Sequence, residues 1–127
     1  MGKLRHIALY ADDIEATAGF YEKAFAMVRV RQLDNVITLS DGLVSLAIAD
    51  ASRSASGRKG LDHIGFLVDD MDAAAAKLEA GGGVHCGQIS RTHANANIER
   101  KYRDPNGLVF DIATPEHARP VWGIPAV

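Results

Sequence analysis

The chain has 127 residues, a length that one folded unit accommodates and that buries a sizeable core. Apolar residues make up 47% and charged residues 24%, an ordinary globular composition, and the formal net charge is −2. That balance carries no basic stripe, which argues against nucleic acid or an anionic membrane as partner, and no apolar stretch is long enough to span a bilayer.

The first thirteen residues read MGKLRHIALYADD. Charges interrupt the apolar positions, so the stretch does not read as a secretory signal. Lys3 to His6 run straight into a strand pattern, which argues against lipidation of Gly2. Alternation places Leu4, His6, Ala8 and Tyr10 on one face of that strand and Arg5, Ile7 and Leu9 on the other. Asp12-Asp13 then offers an N-cap, and Ile14, Thr17, Ala18, Tyr21 and Phe25 fall on one face of the helix that follows. Three shorter strands are predicted at about 28–32, 35–39 and 43–49, with turn signals at Asp34-Asn35 and Asp41-Gly42. The polar, glycine-bearing stretch 51–60 reads as a linker. The order then repeats from Leu61. Asp69-Asp70 offers a cap, and Met71, Ala74, Ala75 and Leu78 share a helical face. Gly81-Gly82-Gly83 stops the helix. Strands are predicted at about 83–89, 97–103 and 108–113, the last two joined by Asp104-Pro105-Asn106-Gly107. The tail, 114–127, carries prolines and Trp122, and is expected to cap the site or to bury Trp122 against a second subunit. Cys86 is the only cysteine, which precludes an intrachain disulfide, fits a cytoplasmic location and reads as a small strand residue rather than a nucleophile.

The repeat is the strongest internal signal. Residues 4–18, LRHIALYADDIEATA, align without a gap on residues 61–75, LDHIGFLVDDMDAAA, at an offset of 57. Seven of the fifteen positions are identical, among them His6 with His63 and Asp13 with Asp70, which is more than composition produces. The predicted fold class is α+β: two tandem βαβββ modules, about 4–50 and 61–113 of a single domain spanning 1–127, forming one cupped mixed sheet with helices outside. Neither module alone covers its sheet, and a duplicated pair brings equivalent positions together near a pseudo-axis.

Those positions are His6 and His63, with Asp111 on the last strand and, by aligning Asp41-Gly42-Leu43-Val44 with Asn106-Gly107-Leu108-Val109, Leu46 as its counterpart. Two imidazoles and a carboxylate with open positions suit Fe(II), Mn(II), Ni(II), Zn(II) or Co(II). Asp111, between Phe110 and Ile112, is expected to face a cavity, where a bound cation, Lys101 or Arg103 would compensate its charge. Glu99 and Lys101 alternate together on the preceding strand, as candidate general base and anion clamp. Tyr10 shares the His6 face and is a candidate pocket residue. Arg91 and His93 belong to a polar stretch expected to cover the mouth. His85 and His117 have no partner legible in the sequence.

The segments HIALYADDIEATAGFYEKAF, LDHIGFLVDD and YRDPNGLVFDI resemble the vicinal oxygen chelate superfamily, which includes glyoxalase I, extradiol dioxygenases, fosfomycin-resistance transferases, methylmalonyl-CoA epimerase and bleomycin-binding proteins. The resemblance runs over about residues 4–113. It implies a divalent metal held by His6, His63 and Asp111, the last more often Glu in the family. The four-ligand pattern of glyoxalase I and the epimerase asks for a further ligand within Leu43 to Ile48, and none is there. Extradiol dioxygenases carry a further histidine late in the first module and a tyrosine three residues before the DPxG turn. This chain has no histidine between His6 and His63, and Lys101 stands at the tyrosine position. The resemblance therefore implies a small metal-dependent lyase or isomerase acting on a small vicinal-oxygen substrate, expected as a homodimer. An Fe(II) extradiol-like dioxygenase and a metal-free, bleomycin-resistance-like binding protein are the alternatives.

Overall fold

The computed structural model describes residues 2–54, 58–91 and 94–123. In chain order the elements are β1 (Lys3–Ala11), α1 (Ile14–Phe25), β2 (Val28–Leu33), β3 (Val36–Ser40), β4 (Ser45–Asp50), a 3-10 turn (Ala51–Arg53), β5 (Gly60–Leu67), α2 (Met71–Ala80), β6 (Val84–Arg91), β7 (Ala94–Arg103), β8 (Val109–Ala113) and α3 (Pro115–Trp122). The tail thus forms a helix. Pro115 opens it, where its fixed φ suits the first turn and its missing N–H costs nothing.

The eight strands form one mixed sheet in the order β2-β3-β4-β1-β5-β8-β7-β6. Each half has the same internal order, and β1 and β5 meet antiparallel in the middle, with Ile7 opposite Ile64 and Ala8 opposite His63. Parallel pairs flank the seam, β1 with β4 and β5 with β8.

The Asp-Asp pairs cap both helices at equivalent places. The Asp13 carboxylate accepts from the Ala16 N–H at 2.9 Å, and that of Asp70 from Ala73 at 2.9 Å. Replacing either by alanine leaves a first-turn N–H without its acceptor, and thermal denaturation of each variant is expected to show a loss of about 1 kcal/mol.

Alternation in the strands sends one set of side chains to the helices and the other to the cup. Ile37, Leu39 and Ile48 pack beneath α1 with Ala18, Ile14 and Tyr21. Tyr102, Phe110 and Ile112 pack beneath α2 with Ala75, Met71, Ala74 and Leu78. Phe25, expected on the buried face of α1, is instead 67% exposed. It is the last helical residue before Ala26 turns into the left-handed region at φ 54°, and there the helix has left the sheet behind.

The sheet register corrects one expectation. Ile7 pairs with Leu46 and Ala8 with Ala47, whereas Ile64 pairs with Phe110 and Gly65 with Asp111. The counterpart of Asp111 is therefore Ala47, not Leu46. Ala47 lies five residues after Gly42 whereas Asp111 lies four after Gly107, and a one-residue slip exchanges the two faces of a strand. Leu46 accordingly joins the α1 core while Ala47 lines the cup.

Candidate functional site

The cup face holds a cavity of about 170 Å³ over the central seam. His6 and Tyr10 reach it from β1, His63 from β5, and Glu99 and Lys101 from β7. The ligand atoms of His6, His63 and Asp111 all lie within 4.8 Å of one another. The structure thus brings together the three residues singled out as metal ligands, the two proposed for acid–base and anion work, and Tyr10. The Arg91 side chain, His93 and the His117 side chain lie outside the described residues. His85 sits on the other face of the sheet, its ring edge-on to Tyr102.

Each histidine is held by its Nδ1. That of His6 lies 3.2 Å from the Ser45 hydroxyl, which the β1–β4 register places directly alongside. That of His63 lies 2.5 Å from the Asp62 carboxylate. Fixing Nδ1 orients the ring and leaves Nε2 as the nitrogen for a ligand, as second partners of metal-bound histidines do. Nε2 of His63 is 3.1 Å from Asp111 Oδ2. The Asp111 side chain is 0% exposed, and its Oδ2 is a buried oxygen with no aligned hydrogen bond among the described residues. Its other oxygen accepts from Lys101 Nζ at 2.7 Å, a pair set by the β7–β8 register, in which the two residues stand opposite each other. Arg103 is instead turned to the Gly107 carbonyl, so Lys101 is the compensating cation.

The ionisation of these groups follows from their contacts. Burial, with the neighbouring His63, lowers the His6 pKa to about 3, so His6 is neutral and able to donate a lone pair. Burial also acts to lower His63, but Asp111 and Asp62 outweigh it and raise its pKa. For Asp111, burial works against ionisation. Its contacts with His63 and Lys101 prevail and hold the carboxyl well below the usual carboxylate range. Glu99 goes the other way: burial, then the Asp111 charge, push it up to about 7. Two neighbouring carboxyls are thereby set apart, one ionised and one poised to carry a proton near neutrality.

Trp122 closes one side of the cavity. Its indole is stacked on the His6 ring at 4.6 Å with 6° between planes, and its N–H donates to Glu99 Oε1 at 2.8 Å. The indole is 1% exposed within its own chain, so of the two roles expected for the tail, capping holds and burial against a second subunit does not. Sequence reasoning missed Ser45, Asp62 and the placement of Trp122. Only Asp62 left a signal: beside a candidate ligand, it replaces the Arg5 of the first copy.

A larger cavity, 410 Å³, lies on the far face between α2 and the sheet, lined by Ile64, Phe66, Leu78 and Phe110. Among the described residues that line it, only Lys77 and Asp104 are charged, and no histidine or cysteine reaches it. The smaller cavity is therefore the candidate site.

Residues 3–112 match the family model of the Glyoxalase/Bleomycin resistance protein/Dioxygenase superfamily. The chain belongs to that superfamily. Among curated protein sequences, none matches it significantly. Of solved structures, a hypothetical protein from Bacillus halodurans superposes with a TM-score of 0.72 at 14% identity, over 89% of this chain and 94% of that one. Methylmalonyl-CoA epimerase from Streptomyces coelicolor, an E43L variant in complex with 2-nitronate-propionyl-CoA, gives 0.65 at 22% identity, over 88% and 93%. The Mn(II)-bound glyoxalase from Novosphingobium aromaticivorans gives 0.68 at 18% identity, over 88% of this chain and 38% of that longer one. At these identities the neighbours establish the shared superfamily fold.

Proposed function

We propose that the protein is a metal-dependent enzyme of lyase or isomerase type that acts on a small substrate bearing two adjacent oxygens, with His6, His63 and Asp111 as the ligands. The observation that carries this reading is the arrangement of Asp111: a buried carboxylate oxygen without an aligned hydrogen bond among the described residues, facing the nitrogens of two histidines whose other nitrogens are already engaged. A divalent ion held there would supply Lewis-acid polarisation of the substrate oxygens. Glu99 is the group proposed to hold or accept the substrate proton. Its Oε1 is fixed by the Trp122 N–H, while Oε2 lies 3.9 Å from Lys101 Nζ, and a pKa of about 7 suits proton transfer in either direction. Lys101 balances Asp111 and places positive charge beside Glu99, where a developing oxyanion would be stabilised. Tyr10 is proposed as a wall of the pocket.

One observation favours the metal-free binding protein instead. Lys101 already compensates Asp111, so the cavity is not left with an unbalanced charge when no ion is bound. Ring-cleaving oxygen chemistry has no such support: the position for its tyrosine is Lys101, and Tyr102 is buried in the core beneath α2. The deciding experiment is metal content after purification without chelator, repeated on His63→Ala. The enzyme reading expects close to one equivalent of divalent metal in the wild type and affinity at least ~100-fold weaker in the variant. No metal in the wild type after reconstitution with several divalent ions would leave the binding protein as the better account.

A further inference from the structure

We propose that Trp122 is the specificity-determining residue of the site: its indole is a fixed wall that admits only compact vicinal-oxygen ligands, such as a short 2-hydroxy or 2-oxo acid, and excludes those carrying an aromatic group. The proposal deepens the metal-dependent reading and rests on it.

Three independent contacts immobilise the ring. One face lies flat on His6, the N–H is engaged by Glu99, and the far edge sits over Gly65. A Cβ at Gly65 would come 3.0 Å from the indole Cη2, so the missing side chain is what makes room for the ring. The helix that carries Trp122 is seated as well. Ala118 and Trp122 pack with Leu67 and Ala113, and the Val121 carbonyl accepts from Arg31 at 3.0 Å. Gly123 follows in the left-handed region at φ 66°, its α-carbon close against Val30, which leaves α3 little freedom to lift.

The stack uses the face of the His6 imidazole and leaves its in-plane Nε2 lone pair to the ligand cluster. The indole therefore narrows the cavity without blocking the His6 ligand position. The remaining space, about 170 Å³, is well under the ~300 Å³ at which pockets begin to take drug-sized ligands. Ala8, Ala47 and Ala49 form a short, apolar part of its floor, with Tyr10, Arg31 and Thr38 as further polar lining. A ligand seated there has two oxygens directed at the histidine–aspartate cluster and room for only a small remainder beside the indole.

The test uses cobalt(II)-loaded protein and two chelators with the same binding head, acetohydroxamate and 2-naphthohydroxamate, each titrated while the cobalt absorption spectrum is recorded. Cobalt uptake is read first, from the spectrum without chelator. The wild type is expected to prefer acetohydroxamate by at least tenfold, and Trp122→Ala to lose that preference or invert it. Trp122→Phe, which keeps a ring, is expected to lie between them and serves if the alanine variant does not fold. Wild-type protein that binds both chelators equally, or variants that keep the wild-type preference, would overturn the assignment of Trp122 while leaving the metal site standing. Failure of the wild type to take up cobalt at all would overturn the metal-dependent reading and this assignment with it.

Discussion

Asp111→Ala is expected to destabilise the metal-free protein by about 3 kcal/mol in urea denaturation with chelator present, because it strands buried positive charge. The Asp111 carboxylate lies 2.7 Å from Lys101 Nζ and 3.1 Å from His63 Nε2, and without it the Lys101 ammonium has no carboxylate nearer than Glu99 Oε2 at 3.9 Å. Lys101 is 26% exposed and keeps part of its hydration, which puts the cost at the lower end of the range for a broken buried pair. The double variant Asp111→Ala/Lys101→Met removes both partners of the stronger contact and is expected to recover much of the loss. A single variant as stable as the wild type would show that the pair contributes nothing. On the metal-dependent reading, the wild type is expected to gain a further ~2.7 kcal/mol at a hundredfold excess of metal over Kd, and the Asp111→Ala variant far less at the same metal concentration.

Gly65→Ala is expected to cost about 2–3 kcal/mol, near the top of the range for overpacking a well-filled core, and to lower the melting temperature by about 10 °C. The new methyl would lie 2.9 Å from His6 Cβ and 3.0 Å from both His6 Cδ2 and Trp122 Cη2. Neither ring has somewhere to go, since His6 is held by Ser45 and Trp122 by Glu99. Trp122 is the only tryptophan of the chain, so its emission reports the displacement directly. A red shift alongside the lower melting temperature is the expected result, and an unchanged spectrum with full stability would show that the pocket wall yields easily.

The duplicated order of elements was legible because its signals are local. A repeated Asp-Asp before each helix, glycine after the second, and alternation in the strands each act within a few residues of where they are written. His6, His63 and Asp111 were legible because two of them repeat and the third interrupts an apolar strand. The register of β4 was not, since aligning two Gly-Leu-Val turns hides an extra residue, and that residue exchanged Leu46 for Ala47 in the cup. Nor was the role of Trp122. Its contacts with His6 and Glu99 span much of the chain, and nothing near position 122 announces them. Ser45 acts only through its strand neighbour, which depends on pairing that the order of residues does not spell out.

His6 belongs to the first copy and His63 and Asp111 to the second, and the junction between the copies is a single antiparallel pair of strands. An ion gripped by all three would therefore act as a rivet across the line along which the duplicated halves are joined. Holding cargo and holding the halves together become one event. Amide protons along that line, at Ile7, Ala8, His63 and Ile64, would exchange more slowly once the cargo is aboard, and occupancy would be written into the lifetime of the fold as much as into its chemistry.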